Sequence, residues 1–166
     1  PASYQITTYI PRKVPNWYKD GVMYQIFVDR FHNGTRDIAS LKGRHKGLYH
    51  LNWHDTPFYI KDERGRVTHW TFFGGDLEGI RQKLDYLKEL GITILYLTPI
   101  FEARSNHKYD TGNYMKVDPG FGDEEALREL VQEGQKRGIE IILDGVFSHT
   151  GSDSLYFNKN GTYPGL

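Results

Sequence analysis

The sequence predicts an α/β fold built on a parallel sheet, and three observations carry that expectation. Three apolar runs, at residues 22–31, 92–100 and 139–147, have the length and composition of buried strands. Two stretches, 76–91 and 123–138, repeat apolar residues at the 3,4 spacing of amphipathic helices. The junction of helix, Gly, Ile and apolar run occurs twice, at Gly91-Ile92 and at Gly138-Ile139. That junction is how a crossover helix returns the chain to a parallel neighbouring strand.

Residues 1–16 alternate weakly at Tyr4, Ile6 and Ile10 and break at Pro11 and Pro15. They read as the end of a strand from a preceding β domain followed by a linker, with a second unit over 17–166. Residues 22–31 (VMYQIFVDRF) are the first strong strand, with Val22, Tyr24, Ile26 and Val28 on one face and Met23 and Phe27 on the other. Residues 32–75 are far longer than an ordinary strand–helix connection. They hold an expected hairpin, 58–61 with 67–72, around a charged turn at 62–66 that contains Gly65.

Residues 76–91 (DLEGIRQKLDYLKELG) are read as one helix. Leu77, Ile80, Leu84 and Leu87 make one buried face, extended by Leu90. Asp76 is the N-cap, Glu78 complements the helix dipole, and Gly91 ends the helix. The buried strand 92–100 follows at once and stops at Pro99. After an expected loop over 101–122, Asp123 caps a second helix through Gly138, with Leu127, Leu130 and Val131 inward. The strand 139–147 completes the pattern. Three parallel strands cannot close a barrel and leave bare edges, so the segment reads as the first part of something larger, with both ends cut. The isolated piece is expected to self-associate through those edges.

Lysine plus arginine and aspartate plus glutamate both number 21, so no charge excess points to nucleic acid or to an anionic membrane surface. Cysteine is absent, which removes disulfides, thiolate metal sites and thiol nucleophiles. No apolar run approaches a membrane span, and no G-x-G-x-x-G or Walker loop follows a strand. The compartment stays open between cytoplasmic and secreted. The five histidines His32, His45, His50, His54 and His69 show no metal-ligand spacing and read as loop residues. Aromatic residues reach 14%, a supply of side chains that stack on sugar rings as well as pack cores.

Polar chemistry gathers where the strands end. Asp144 sits inside the third apolar run, and Ser148, His149 and Gly151 follow it. In parallel α/β folds the C-terminal strand ends carry the working residues, so Asp144 and His149 are candidates for one site. Four stretches follow or join the strands: YQIFVDRFHNG (24–34), FGGDLEG (73–79), HKYDTGNYMKVDPGFG (107–122) and DGVFSHTG (144–151). In this order and spacing they resemble the α-amylase family of glycoside hydrolases, and most closely its neopullulanase and cyclomaltodextrinase branch.

The resemblance implies a (β/α)8 TIM barrel that acts on α-glucans with retention at the anomeric carbon. The chain would supply the first three strands, two helices and a long loop between the first strand and first helix. His149 matches a histidine that hydrogen-bonds the glucose unit before the scissile bond, and Tyr109 a tyrosine that stacks under the same ring. Asp144 matches an acid supporting the polar network, and His107 a further sugar contact. Asn33, Asp37, Gly74 and Asp76 correspond to oxygen ligands of a calcium ion in this branch; the same residues read also as a loop Asn and a capped helix. Thr35 departs from that pattern, where an acid is common, and Ser148 departs from the Asn that ligates a different calcium in many α-amylases. No organic cofactor is implied. The family's nucleophile and acid/base follow later strands, so neither is expected here, and the piece alone is expected to be inactive. An alternative is an amylase-fold protein that has lost catalysis and serves in binding or assembly.

Overall fold

A computed structural model describes residues 3, 6–35, 47–161 and 163. Its centre is a three-stranded parallel sheet: β1 (Met23–Ile26), β6 (Ile94–Leu97) and β9 (Glu140–Leu143), in the order β1-β6-β9. The register pairs Tyr24, Leu95 and Ile141, then Ile26, Leu97 and Leu143, across one face. All of those residues but Tyr24, which is exposed, meet the helices. Ile26, Leu95 and Leu97 are buried in one core with Leu77, Ile80, Leu84, Leu87 and Leu130, while Ile141 and Leu143 pack at its margin. The other face carries Met23, Gln25, Ile94, Tyr96, Glu140 and Ile142. The mixed α/β expectation with parallel strands therefore holds, and these strands form an open sheet rather than a closed barrel.

The helix layer consists of α2 (Leu77–Gln82), α3 (Leu84–Glu89) and α4 (Glu124–Lys136), with a single turn, α1 (Asn16–Lys19), ahead of the sheet. Asp76 and Asp123 are the expected N-caps; their carboxylates accept from Gly79 N (2.6 Å) and Ala126 N (2.8 Å). The stretch read as one helix is two. Lys83 leaves the helical region (φ −100°, ψ 3°), and its N–H turns to Ile80 O. No Gly or Pro marks that break, and both halves keep their apolar residues fully buried. Leu90, expected to extend the face, is instead 54% exposed, because the chain has already turned away. Gly91 and Gly138 both adopt positive φ (83° and 73°). Each lets the following Ile N–H reach back to a helix carbonyl, Leu87 O or Gly134 O, which explains the repeated Gly-Ile junction.

Between β1 and α2 the chain forms β2 (Leu48–Tyr49), β3 (Ile60–Lys61), β4 (Val67–His69) and β5 (Thr71–Phe72). The expected hairpin is present as antiparallel β3–β4 but is shorter than 58–61 with 67–72, because Thr71 and Phe72 pair with β2 instead; its turn is held by Asp62, which accepts from the N–H groups of Arg64 and Arg66. β2 runs parallel to β5. Asp29, just past β1, closes the excursion by accepting from Phe73 N and Gly74 N (3.1–3.2 Å).

The segment expected as a loop after the second strand is mostly a second antiparallel hairpin, β7 (Phe101–Ala103) with β8 (Thr111–Val117). Its register shifts twice, and that irregularity hides the alternation by which a strand is read from sequence. Residues 6–15 are exposed and carry no strand. Among the described residues no helix is long and apolar enough to cross a membrane.

Candidate functional site

The β7–β8 turn projects over the C-terminal end of the parallel sheet, and Lys108 fixes how it does so. Lys108 sits at φ 62° and is wholly buried. Its Nζ lies 2.7 Å from the equally buried Asp118 carboxylate, donates to Ala103 O (3.0 Å), and lies over the Phe72 and Phe121 rings. Burial pushes the Lys108 ammonium below the ordinary lysine range, and Asp118 opposes that shift. Ser105 Oγ accepts from Lys108 N (3.0 Å) and donates to Asp110, which tightens the turn. With Lys108 pinned inward, its neighbours His107 and Tyr109 stay only partly buried.

The Tyr109 hydroxyl donates to Asp144 Oδ2 at 2.8 Å, immediately beyond the last residue of β9. Burial, and then this bond to a carboxylate, push the Tyr109 phenol up to about 12, so it remains a donor. Tyr96, on β6, also interacts with Asp144 and is shifted up for the same two reasons. The imidazole of His107 lies 5.8 Å from the Tyr109 ring and 4.9 Å, edge to face, from Trp70. His107 Nδ1 lies 3.1 Å from both Tyr109 N, whose N–H donates to it, and Ser105 Oγ. Burial lowers the His107 pKa and favours the neutral form.

His149 stands at the same end of the sheet, five residues beyond Asp144, with an exposed ring. Its Nδ1 lies 3.0 Å from Ser148 Oγ, and no hydrogen bond or ring contact joins it to Tyr109 among the described residues. Its backbone is held nonetheless. Tyr114 Oη shares its one proton between His149 O (2.7 Å) and Val146 O, while Gly151 N and Leu155 N donate to Thr111 O and Gly112 O. Three donors thus lace the 144–155 segment to β8. The structure brings His107, Tyr109 and Asp144 into one cluster and sets His149 beside it on a shared support.

Residues 25–164 match the α-amylase catalytic domain. The chain belongs to the α-amylase catalytic-domain family. It is 46% identical over 160 residues to the amylopullulanase of Thermoanaerobacter thermohydrosulfuricus, covering 90% of this chain and 11% of that protein. Neopullulanase 2 of Thermoactinomyces vulgaris is 46% identical over 145 residues, covering 86% and 22%. Among solved structures, the cyclic alpha-maltosyl-(1-->6)-maltose hydrolase of Arthrobacter globiformis, in complex with cyclic alpha-maltosyl-(1-->6)-maltose, matches with a TM-score of 0.71. That match has 39% identity and covers 86% of this chain and 28% of that one. The chain therefore spans roughly a tenth to a quarter of these relatives.

In this α-amylase-family chain two of the residues suggested for calcium, Asn33 and Asp76, already engage their oxygens in hydrogen bonds. The Asp76 carboxylate already accepts from Gly79 N, Gly34 N (2.9 Å) and Thr35 N (3.3 Å), donors that compete with a cation for its oxygens. Asn33 Oδ1 accepts from Thr35 Oγ1. Asp37 and His45 lie outside the described residues. Among the described residues no three His, Cys, Asp or Glu side chains form a group able to hold a metal. Sequence reasoning also missed Tyr96, Trp70 and the Lys108–Asp118 pair, since each read as strand or loop content. His50, read as a loop residue, is 8% exposed and stacks on Phe73 at 4.1 Å, because β2 and β5 fold over it.

Proposed function

We propose that this chain is the N-terminal part of a (β/α)8 catalytic barrel of a retaining α-glucan hydrolase, the barrel portion being 17–166 and the 1–16 segment a linker from a preceding β domain. Tyr109 is the platform beneath one glucose ring, His107 and His149 are hydrogen-bond partners of that unit, and Asp144 holds the Tyr109 phenol in place. The observation that carries this reading is the 2.8 Å bond from Tyr109 to Asp144 at the end of β9, with neutral His107 alongside. It ties three of the four motif residues into one rigid, partly open cluster. The His107 imidazole supplies a polar edge, and the partly buried phenol ring supplies an apolar face that is pre-oriented before sugar arrives.

Asp144 is not the nucleophile in this reading. A retaining hydrolase needs two carboxyl groups about 5–5.5 Å apart, whereas Asp144 already accepts from a phenol that stays protonated. The nucleophile and acid/base belong to later strands of the barrel. The inward face bearing Gln25, Tyr96 and Ile142 is the wall those strands would complete. The test is a crystal of the complete enzyme carrying this segment, soaked with acarbose, together with Tyr109→Ala kinetics. Sugar stacked on Tyr109 within reach of His149, and kcat/KM lowered about tenfold or more, is the expected result. Binding without turnover in the complete protein would favour the non-catalytic alternative, and sugar bound elsewhere would overturn the site.

A further inference from the structure

β8 is interrupted where it passes the segment after β9. Phe101 pairs with Val117 and Glu102 with Asn113, so residues 114–116 stand opposite a single step of β7. Such a bulge frees the inserted residues from the ladder and re-aims a side chain out of the strand's alternation. Asn113 closes it, its Oδ1 accepting from Met115 N at 2.9 Å. The side chain re-aimed in this way is Tyr114. Its backbone N–H donates to Tyr156 Oη (3.1 Å), and its ring lies against Phe147 and Tyr156 with centroids 5.6 and 5.5 Å away.

The Tyr114 hydroxyl then reaches two carbonyls three residues apart, Val146 O and His149 O (2.7 Å), and the chain between them bends around its one proton. Packing alone does not account for that placement. Phe147 and Tyr156 are both exposed, so the ring contacts hide little apolar surface. The His149 ring has still less to hold it. It is exposed, and among the described residues its hydrogen-bond partner is the adjoining Ser148 Oγ at 3.0 Å. A ring so placed inherits its position from its backbone, and among the described residues the Tyr114 phenol is the side chain that binds that backbone.

We propose that Tyr114 is a positioning residue: the bulge at 114–116 aims its hydroxyl at the 146–149 turn, and that bond sets where the His149 imidazole meets a sugar hydroxyl. The Tyr114 phenol touches no reacting atom, and its effect on the reaction passes through His149. This rests on the role given to His149 above.

The experiment is a double-mutant cycle in the complete enzyme carrying this segment, with maltotriose as substrate: Tyr114→Phe, His149→Ala and the two together. Phenylalanine keeps the ring against Phe147 and Tyr156 and removes the shared proton. Tyr114→Phe lowers kcat/KM about tenfold, the upper end for one hydrogen bond and the misplacement its loss permits. In the His149→Ala background the same change alters kcat/KM by less than about twofold, because no imidazole is left to place. Asn113→Ala, which loosens the bulge without touching the ring, shows the same dependence on His149. In the acarbose complex of Tyr114→Phe the His149 ring leaves the sugar while Tyr109 stays stacked on it. An equal loss in both backgrounds makes Tyr114 a packing residue and refutes the proposal. A Tyr114→Phe enzyme as active as wild type, with His149→Ala impaired, refutes it too, and in both cases the principal site stands. If His149→Ala is itself fully active, the reading of His149 fails and the proposal falls with it.

Discussion

Replacing Lys108 with methionine removes one charge from a pair in which both side chains are 0% exposed. The methionine keeps an apolar stem between Phe72 and Phe121, so little packing is lost. Asp118 remains buried, with backbone donors from Ala103 (3.1 Å) and Gly120 (2.8 Å) but without its ammonium. Breaking a buried pair from one side costs about 3–5 kcal/mol, because the desolvated partner is left uncompensated. At roughly 2–4 °C per kcal/mol for a chain of this size, the midpoint falls by roughly 6–20 °C. The double variant Lys108→Met with Asp118→Asn removes both charges and recovers at least half of that loss, since a neutral pair of similar shape carries no stranded ion. Thermal and denaturant unfolding at one fixed protein concentration measures both, because association shifts apparent stability. A loss below about 1 kcal/mol in Lys108→Met would refute the idea that this peg holds the His107–Tyr109 turn.

Four further outcomes are expected. The His107 imidazole titrates below 6.5 by NMR, and because its folded pKa is depressed, the stability it contributes is present above 6.5 and is lost as pH falls through the folded value; a midpoint at or above 6.5 contradicts the burial of the ring. Asp76→Ala costs about 2 kcal/mol, the upper end for an N-cap, since the carboxylate also holds Gly34 N and Thr35 N, and a denaturant midpoint unchanged from wild type would remove that role. Chelation with EDTA leaves the unfolding midpoint where it is, and a rise on adding back calcium would restore the ion that Asp76 is here too occupied to bind. The purified chain releases no reducing sugar from maltotriose and sediments as an associated species through the open edges of β1 and β9; a hydrolytically active monomer would contradict both halves.

The parts of the fold that were legible are those in which local pattern and burial agree. The two caps at Asp76 and Asp123, the Gly-Ile junctions and the stripe at Leu77, Ile80, Leu84 and Leu87 each follow from spacing alone, and each is present. What was illegible depends on contacts distant in sequence. The break at Lys83 has no composition signal. The β7–β8 hairpin is disguised by two register shifts. His50 is buried only because Phe73, over twenty residues later, covers it. At the site, Tyr109 and Asp144 were visible as motif residues, but their bond spans thirty-five positions. Tyr96 was read as strand filling because its phenol matters only once β9 lies beside it.

The stitching of Tyr114, Thr111 and Gly112 to the segment after β9 bears on how such enzymes are recombined. The two stretches behave as one cassette although over two dozen residues of chain, including all of α4, separate them. A chimera that imports the turn around His107 from a relative while leaving the 144–158 strip native would sever the lacing and misplace both. Transplanting them jointly should preserve the binding surface, and the natural crossover points for breeding new specificities lie outside that bracket.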